Sequence, residues 1–141
     1  MAAGRPWSAA ADSLRLATLA RALLRRPAEA GADGVLWVDE HLTELLLLSE
    51  PALIHDLAVK HLAPLDALRP GQRERLVATL LSWLRHRGQR AAMAADLGVH
   101  EQTVGYRVNQ LRDLLGPALA DPDARFDLEL VLRAAEASAA Q

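Results

Sequence analysis

The sequence predicts a mainly α-helical protein, a helical bundle with a helix-turn-helix, plus one short candidate strand. Three observations predict this. Ala, Leu and Arg, all strong helix formers, dominate a 141-residue chain that is 51% hydrophobic but only 4% aromatic. Leucines recur at three- and four-residue spacing through most of the chain. Between Ala91 and Leu115 the run AAMAADLGVHEQTVGYRVNQLRDLL has the pattern of two short helices around a tight turn.

Ser8 is placed to cap a first helix, which Leu14, Leu16, Leu19, Leu23 and Leu24 carry to about Arg26. Its C-terminal arginines sit where the helix dipole favours cations. Pro27 to Gly34 ends it, and Gly4, Arg5 and Pro6 ahead of it have the character of an exit from a preceding element. Residues 35–39, VLWVD, form the segment with strand character, being rich in β-branched and aromatic residues after Gly34. A strand needs a partner, and the chain offers no convincing second one. The segment is either loop packed on helices or the remnant of an upstream α/β region, and we favour the second.

Leu42 to Leu48 predicts a leucine-rich helix, in which the continuous leucines 45–48 imply burial on most sides. Pro51 closes it and opens another that runs to His61 with Leu53, Leu57 and Leu62 at helical spacing. After Pro64 and Pro70, Gly71 to Arg87 forms a long amphipathic helix with Leu76, Leu80, Trp83 and Leu84 on its core face and Gly88 as its C-cap. The chain accordingly divides into a helical supporting segment, residues 1–61, and a helix-turn-helix domain, residues 62–141.

Within that domain Ala94, Leu97, Val99, Val104 and Val108 have the spacing that lets two helices pack nearly at right angles. Gly98 falls where a left-handed residue must end the first helix. The second helix, about 101–115, carries Val104, Val108, Leu111 and Leu115 on one face. Gln102, Thr103, Tyr106, Arg107 and Asn109 are left outside, a polar and basic surface of the kind that base edges in a major groove require. Gly116 and Pro117 are expected to stop this helix. Asp121 then caps a last one, with Pro122 in its first turn. Phe126, Leu128, Leu130, Val131 and Leu132 make that helix apolar on several sides, which predicts packing against a partner subunit or another domain. The final AEASAAQ is expected to fray.

Charge is distributed unevenly. The net charge is −2, but between Arg69 and Arg112 eight arginines face three acids, and from Asp113 onward six acids face two arginines. A basic section thus brackets the helix-turn-helix, as nucleic-acid binding requires. Cysteine is absent, which removes disulfides and thiolate-held metals. His41, Glu44, His55 and His61 match no metal-ligand spacing, and the DPD at 121–123 is placed for capping rather than catalysis. With no phosphate loop, nucleophile elbow or cysteine–histidine pair, the reading is non-enzymatic, without cofactor. Neither a signal sequence nor a bilayer-length apolar run is present, so a cytoplasmic location without membrane contact is expected.

Four segments in series carry a resemblance: LAPLD at 62–66, LVATLLSWLRHRG at 76–88, AADLGVHEQTVGYRVNQLRDLLG at 94–116 and DPDARFDLELVLR at 121–133. In order and spacing they resemble the C-terminal output module of the PucR/CdaR family of bacterial transcriptional regulators. More loosely, the segments before Leu62 resemble the end of the α/β region that precedes that module. The resemblance implies a DNA-binding regulator acting as a homodimer on double-stranded DNA, either a fragment or a shortened member, with its effector bound outside this chain. It also implies arginines on the recognition helix where this chain has Glu101, Gly105 and Asn109 or Gln110.

On this reading Arg87, Arg90, Arg107 and Arg112 supply phosphate contacts, while Gln102, Thr103, Tyr106 and Asn109 face base edges. His100 either touches a phosphate or caps the recognition helix. Tyr106 either reaches DNA or packs its ring on the preceding helix. The alternative for the whole chain is a helical dimerisation or protein-interaction module that has lost DNA binding.

Overall fold

The computed structural model describes residues 10–23 and 37–139, which are almost wholly helical. Expectations for Gly4 to Ser8, Leu24 to Gly34, Val35 and Leu36 lie outside the described residues. At the other end of the candidate strand, Val38–Glu40 is a 3-10 turn and not a strand, closed by a His41 N–H bond to the Val38 carbonyl of 3.1 Å. Val38 is buried there among helices, so its β-branched side chain satisfies a helical core without any pairing strand.

The chain divides into two units, residues 1–54 with 133–141, and residues 55–132. In the first, α1 (Ala10–Leu23) and α2 (Leu42–Ser49) enclose a small core of Ala20, Val38 and Leu45, with Leu16, Leu19 and Leu48 against it. Arg15 pairs with Glu50 at 2.7 Å. The leucine run is not buried on most sides: Leu45 and Leu47 are covered, but Leu46 is 69% exposed. A two-turn helix has one inward stripe, and consecutive residues cannot all lie on it.

In the second unit, the part of α3 (Pro51–Leu62) from residue 55 onward leads into a 3-10 turn at Ala63–Leu65 and then α4 (Pro70–Arg85). Short α5 (Arg90–Leu97) and long α6 (Glu101–Ala120) follow, and α7 (Pro122–Ala139) ends the described chain. The main core gathers Leu65 from the turn, Leu76, Leu80 and Leu81 from α4, Leu111, Leu115 and Leu119 from α6, and Leu128, Val131 and Leu132 from α7. A second cluster, Met93 with Val104 and Val108, joins α5 to α6. Half-buried Trp83 packs against both, which locks the helix-turn-helix to the rest of the unit.

Three boundaries differ from expectation. First, α6 does not stop at Gly116 but runs through Pro117 to Ala120, because Leu119 extends the buried stripe of Leu111 and Leu115 by one more turn. Gly116 permits this, since a residue without a Cβ avoids much of the clash that proline imposes on its predecessor. Second, α4 ends before Gly88. The Gly88 N–H bonds the Trp83 carbonyl at 3.0 Å and the Arg87 N–H bonds that of Leu84 at 3.4 Å. This is a Schellman ending in which Arg87, at φ +50°, holds the left-handed position and Gly88 follows at φ +75°. Third, α7 stays helical to Ala139 where fraying was expected, with Ala134 and Ala137 buried. The Asp121 cap is formed as anticipated, its Oδ1 accepting from the Asp123 N–H at 3.1 Å.

Candidate nucleic-acid interface

The interface is built on the turn between α5 and α6. Gly98 takes φ +62°, ψ +35°, and its N–H and that of Val99 bond the Ala95 and Ala94 carbonyls. Val99 and Ala94 both pack on the Met93 cluster, the apolar contact that accompanies this kind of helix ending. His100 then caps α6: its Nδ1 accepts the Gln102 N–H at 3.3 Å. Of the two roles considered for His100, capping is the one the geometry supplies. The ring remains exposed.

From this start α6 presents three faces. Val104, Val108, Leu111, Leu115 and Leu119 are buried. Gln102, Tyr106, Asn109 and Asp113, spaced four, three and four apart, are all exposed and form an outer crest. Tyr106 is 65% exposed, and its hydroxyl accepts from Gln110 Nε2 at 3.2 Å. Its ring is therefore not packed away on α5.

The arginines stand on both sides of the crest. On one side Arg90, the first residue of α5, lies against α6 at Gly105, where a Cβ would come within 3.8 Å of its guanidinium carbon. Arg112 is exposed on that same side of α6. On the other side Arg107, half-buried, shares a cleft with Thr103, Tyr106 and Gln110. The opposite wall of that cleft is α4, through Gln72, Arg75 and Leu76. Arg87 stays apart from these, exposed in the turn after α4. Between α4 and α5, His86 Nε2 and Asp96 Oδ2 lie 3.4 Å apart.

Residues 76–134 match the family model of the PucR C-terminal helix-turn-helix domain. This segment is similar to a PucR-type helix-turn-helix domain. The PucR-type match begins inside α4 and ends in α7. An uncharacterized protein in the pkwA 5' region of Thermomonospora curvata is 40% identical over 57 residues, covering 40% of this chain and 32% of that protein. The chain thus aligns with about a third of that relative's length. No solved structure matches it.

Two features of this region were not visible in the sequence. Gly105 reads there as a helix defect, yet Arg90 lies over it. Arg90 of α5 thus stands over α6 at the position where the resemblance implied an arginine. Gln72 and Arg75 precede the helix-turn-helix by some twenty residues and carry no motif. Only the packing of α4 on α6 brings them beside Tyr106 and Arg107. Among the described residues no group of three His, Cys, Asp or Glu side chains could hold a metal ion, and no helix is long and apolar enough to cross a membrane.

Proposed function

We propose that the chain is a sequence-specific DNA-binding transcriptional regulator, inserting the first half of α6 into the major groove. The observation that carries this is the arrangement along α6: a crest of Gln102, Tyr106 and Asn109 with arginines on both flanks. A helix with its side chains is about 10–12 Å across and the major groove about 12 Å wide. A helix seated there meets base edges along its crest and a phosphate chain on each side. Arg90, Arg107 and Arg112 then fix register, with Arg87 reaching phosphate from the adjoining turn, while Gln102, Thr103, Tyr106 and Asn109 read bases. The protein acts as a cytoplasmic homodimer, two copies of α6 spanning paired half-sites.

Anisotropy titrations of labelled duplexes over a series of salt concentrations test the reading. Binding should weaken steeply as salt rises. Arg107→Ala should weaken all sequences alike and lower the log–log salt slope by about one, whereas Gln102→Ala should shift preference at one base step by about 1–3 kcal/mol. If Gln102→Ala weakened every sequence equally, this register would be wrong. The second reading, an interaction module without DNA binding, is favoured by exposed Leu42, Leu46 and Leu53 in the first unit. Absence of duplex binding even at low salt would select it.

A further inference from the structure

We infer that the cleft between α4 and α6 is a phosphate site, occupied in the complex by a backbone phosphate of the duplex, so that α4 contacts DNA as well as α6. The inference rests on the DNA-binding reading and extends it to residues outside the helix-turn-helix. The cleft, about 290 Å³, places two guanidiniums from separate helices, Arg75 and Arg107, beside the polar side chains of Gln72, Thr103, Tyr106 and Gln110. No carboxylate lines it. Because the Tyr106 oxygen accepts from Gln110, its own O–H is left to donate elsewhere.

Their shared place in one cleft without a carboxylate separates these two arginines from other unpaired ones such as Arg87, Arg90 and Arg112. Arg73, two residues from Arg75 on the same helix, is tied to Asp66 at 3.1 Å, and Arg15 and Lys60 also meet carboxylates. Neither Arg75 nor Arg107 forms an ion pair among the described residues. Two unneutralised planar cations facing one cleft repel each other, and an anion between them relieves that repulsion. Guanidinium forks match phosphate oxygens in geometry as well as in charge. The cleft also adjoins the crest, where the phosphates flanking the bases being read would lie. Acting from α4, whose Leu76 and Leu80 are core residues, Arg75 is set on a rigid element rather than a loop.

The test compares full-length wild type, Arg75→Ala, Arg75→Lys and Arg73→Ala in the same salt-dependent duplex titrations, with circular dichroism confirming that each is folded. Arg75→Ala should weaken binding on the order of tenfold at low salt and lower the salt slope by about one. Arg75→Lys should recover part of the affinity, and Arg73→Ala, which removes an equal charge outside the cleft, should change little. Equal losses for Arg75→Ala and Arg73→Ala would reduce the effect to general charge and overturn the site. Wild-type binding that Arg75→Ala leaves intact would also overturn it, while leaving α6 as the DNA-reading element. Failure of the wild type to bind any duplex would overturn the DNA reading and this site together.

Discussion

Arg87 occupies the position after α4 that glycine normally holds, at φ +50°. An L-residue in this conformation is disfavoured by roughly 1–2 kcal/mol, because its Cβ crowds the following carbonyl. Arg87→Gly removes that crowding and restores some freedom to the unfolded chain, which offsets about 0.5–1 kcal/mol. The net should be a gain on the order of 0.5–1 kcal/mol, a rise of a few degrees in Tm. If Arg87 also serves as a phosphate contact, the same variant should bind duplex more weakly, so that stability and affinity move in opposite directions. Thermal denaturation beside anisotropy measures both. A lower Tm would show that the arginine side chain makes contacts that outweigh its backbone strain. His100 gives the complementary lesson: its place before α6 left a phosphate contact and a cap equally open, and it is the structure that shows the capping bond from the Gln102 N–H.

At the scale of elements, α6 is the instructive case. Its beginning was legible, because Gly98 and the valines around it leave few alternatives. Its end was not, because Gly116 and Pro117 are strong local stop signals that a buried Leu119 overrides. Local propensity is a matter of about 3 kcal/mol for an interior proline against alanine, and one more leucine in the core is of similar size. Pro117 still leaves the Asp113 carbonyl without its usual intrahelical donor. Pro117→Ala should therefore stabilise the protein by about 1–3 kcal/mol in urea denaturation, less whatever the helix has already relaxed. A destabilised variant would mean that the proline itself is needed to seat Leu119. The same competition between local and tertiary signals explains Leu46. Its neighbours made it look buried, and only the direction of α2 decides which leucines face inward.

For the whole molecule, the apolar spacing marked the core helices but not the division between units, which falls within α3 and α7. A continuous helix can serve one core with its first turns and another with its last, and periodicity bears no mark where the change occurs. Nor did the sequence reveal the one buried histidine that ties α3 to α7. His61 Nε2 lies 2.8 Å from Asp127 Oδ2, and Lys60 Nζ lies 3.5 Å from the same oxygen. The hydrogen bond from His61 first, and then Lys60, hold the Asp127 carboxyl below the ordinary aspartate range. Because its folded pKa is depressed, the stability it contributes is fully present above the unfolded value of about 3.9 and is lost as pH falls through the folded value. Wild type should therefore lose stability on acidification from about pH 5 to about pH 2 more steeply than Asp127→Asn, which has no carboxyl to protonate there. Near neutral pH the variant should be the less stable of the two, and the difference should shrink toward zero in acid. Chemical denaturation at a series of pH values gives both curves, and parallel curves would show that this pair contributes nothing to the joining of α3 and α7.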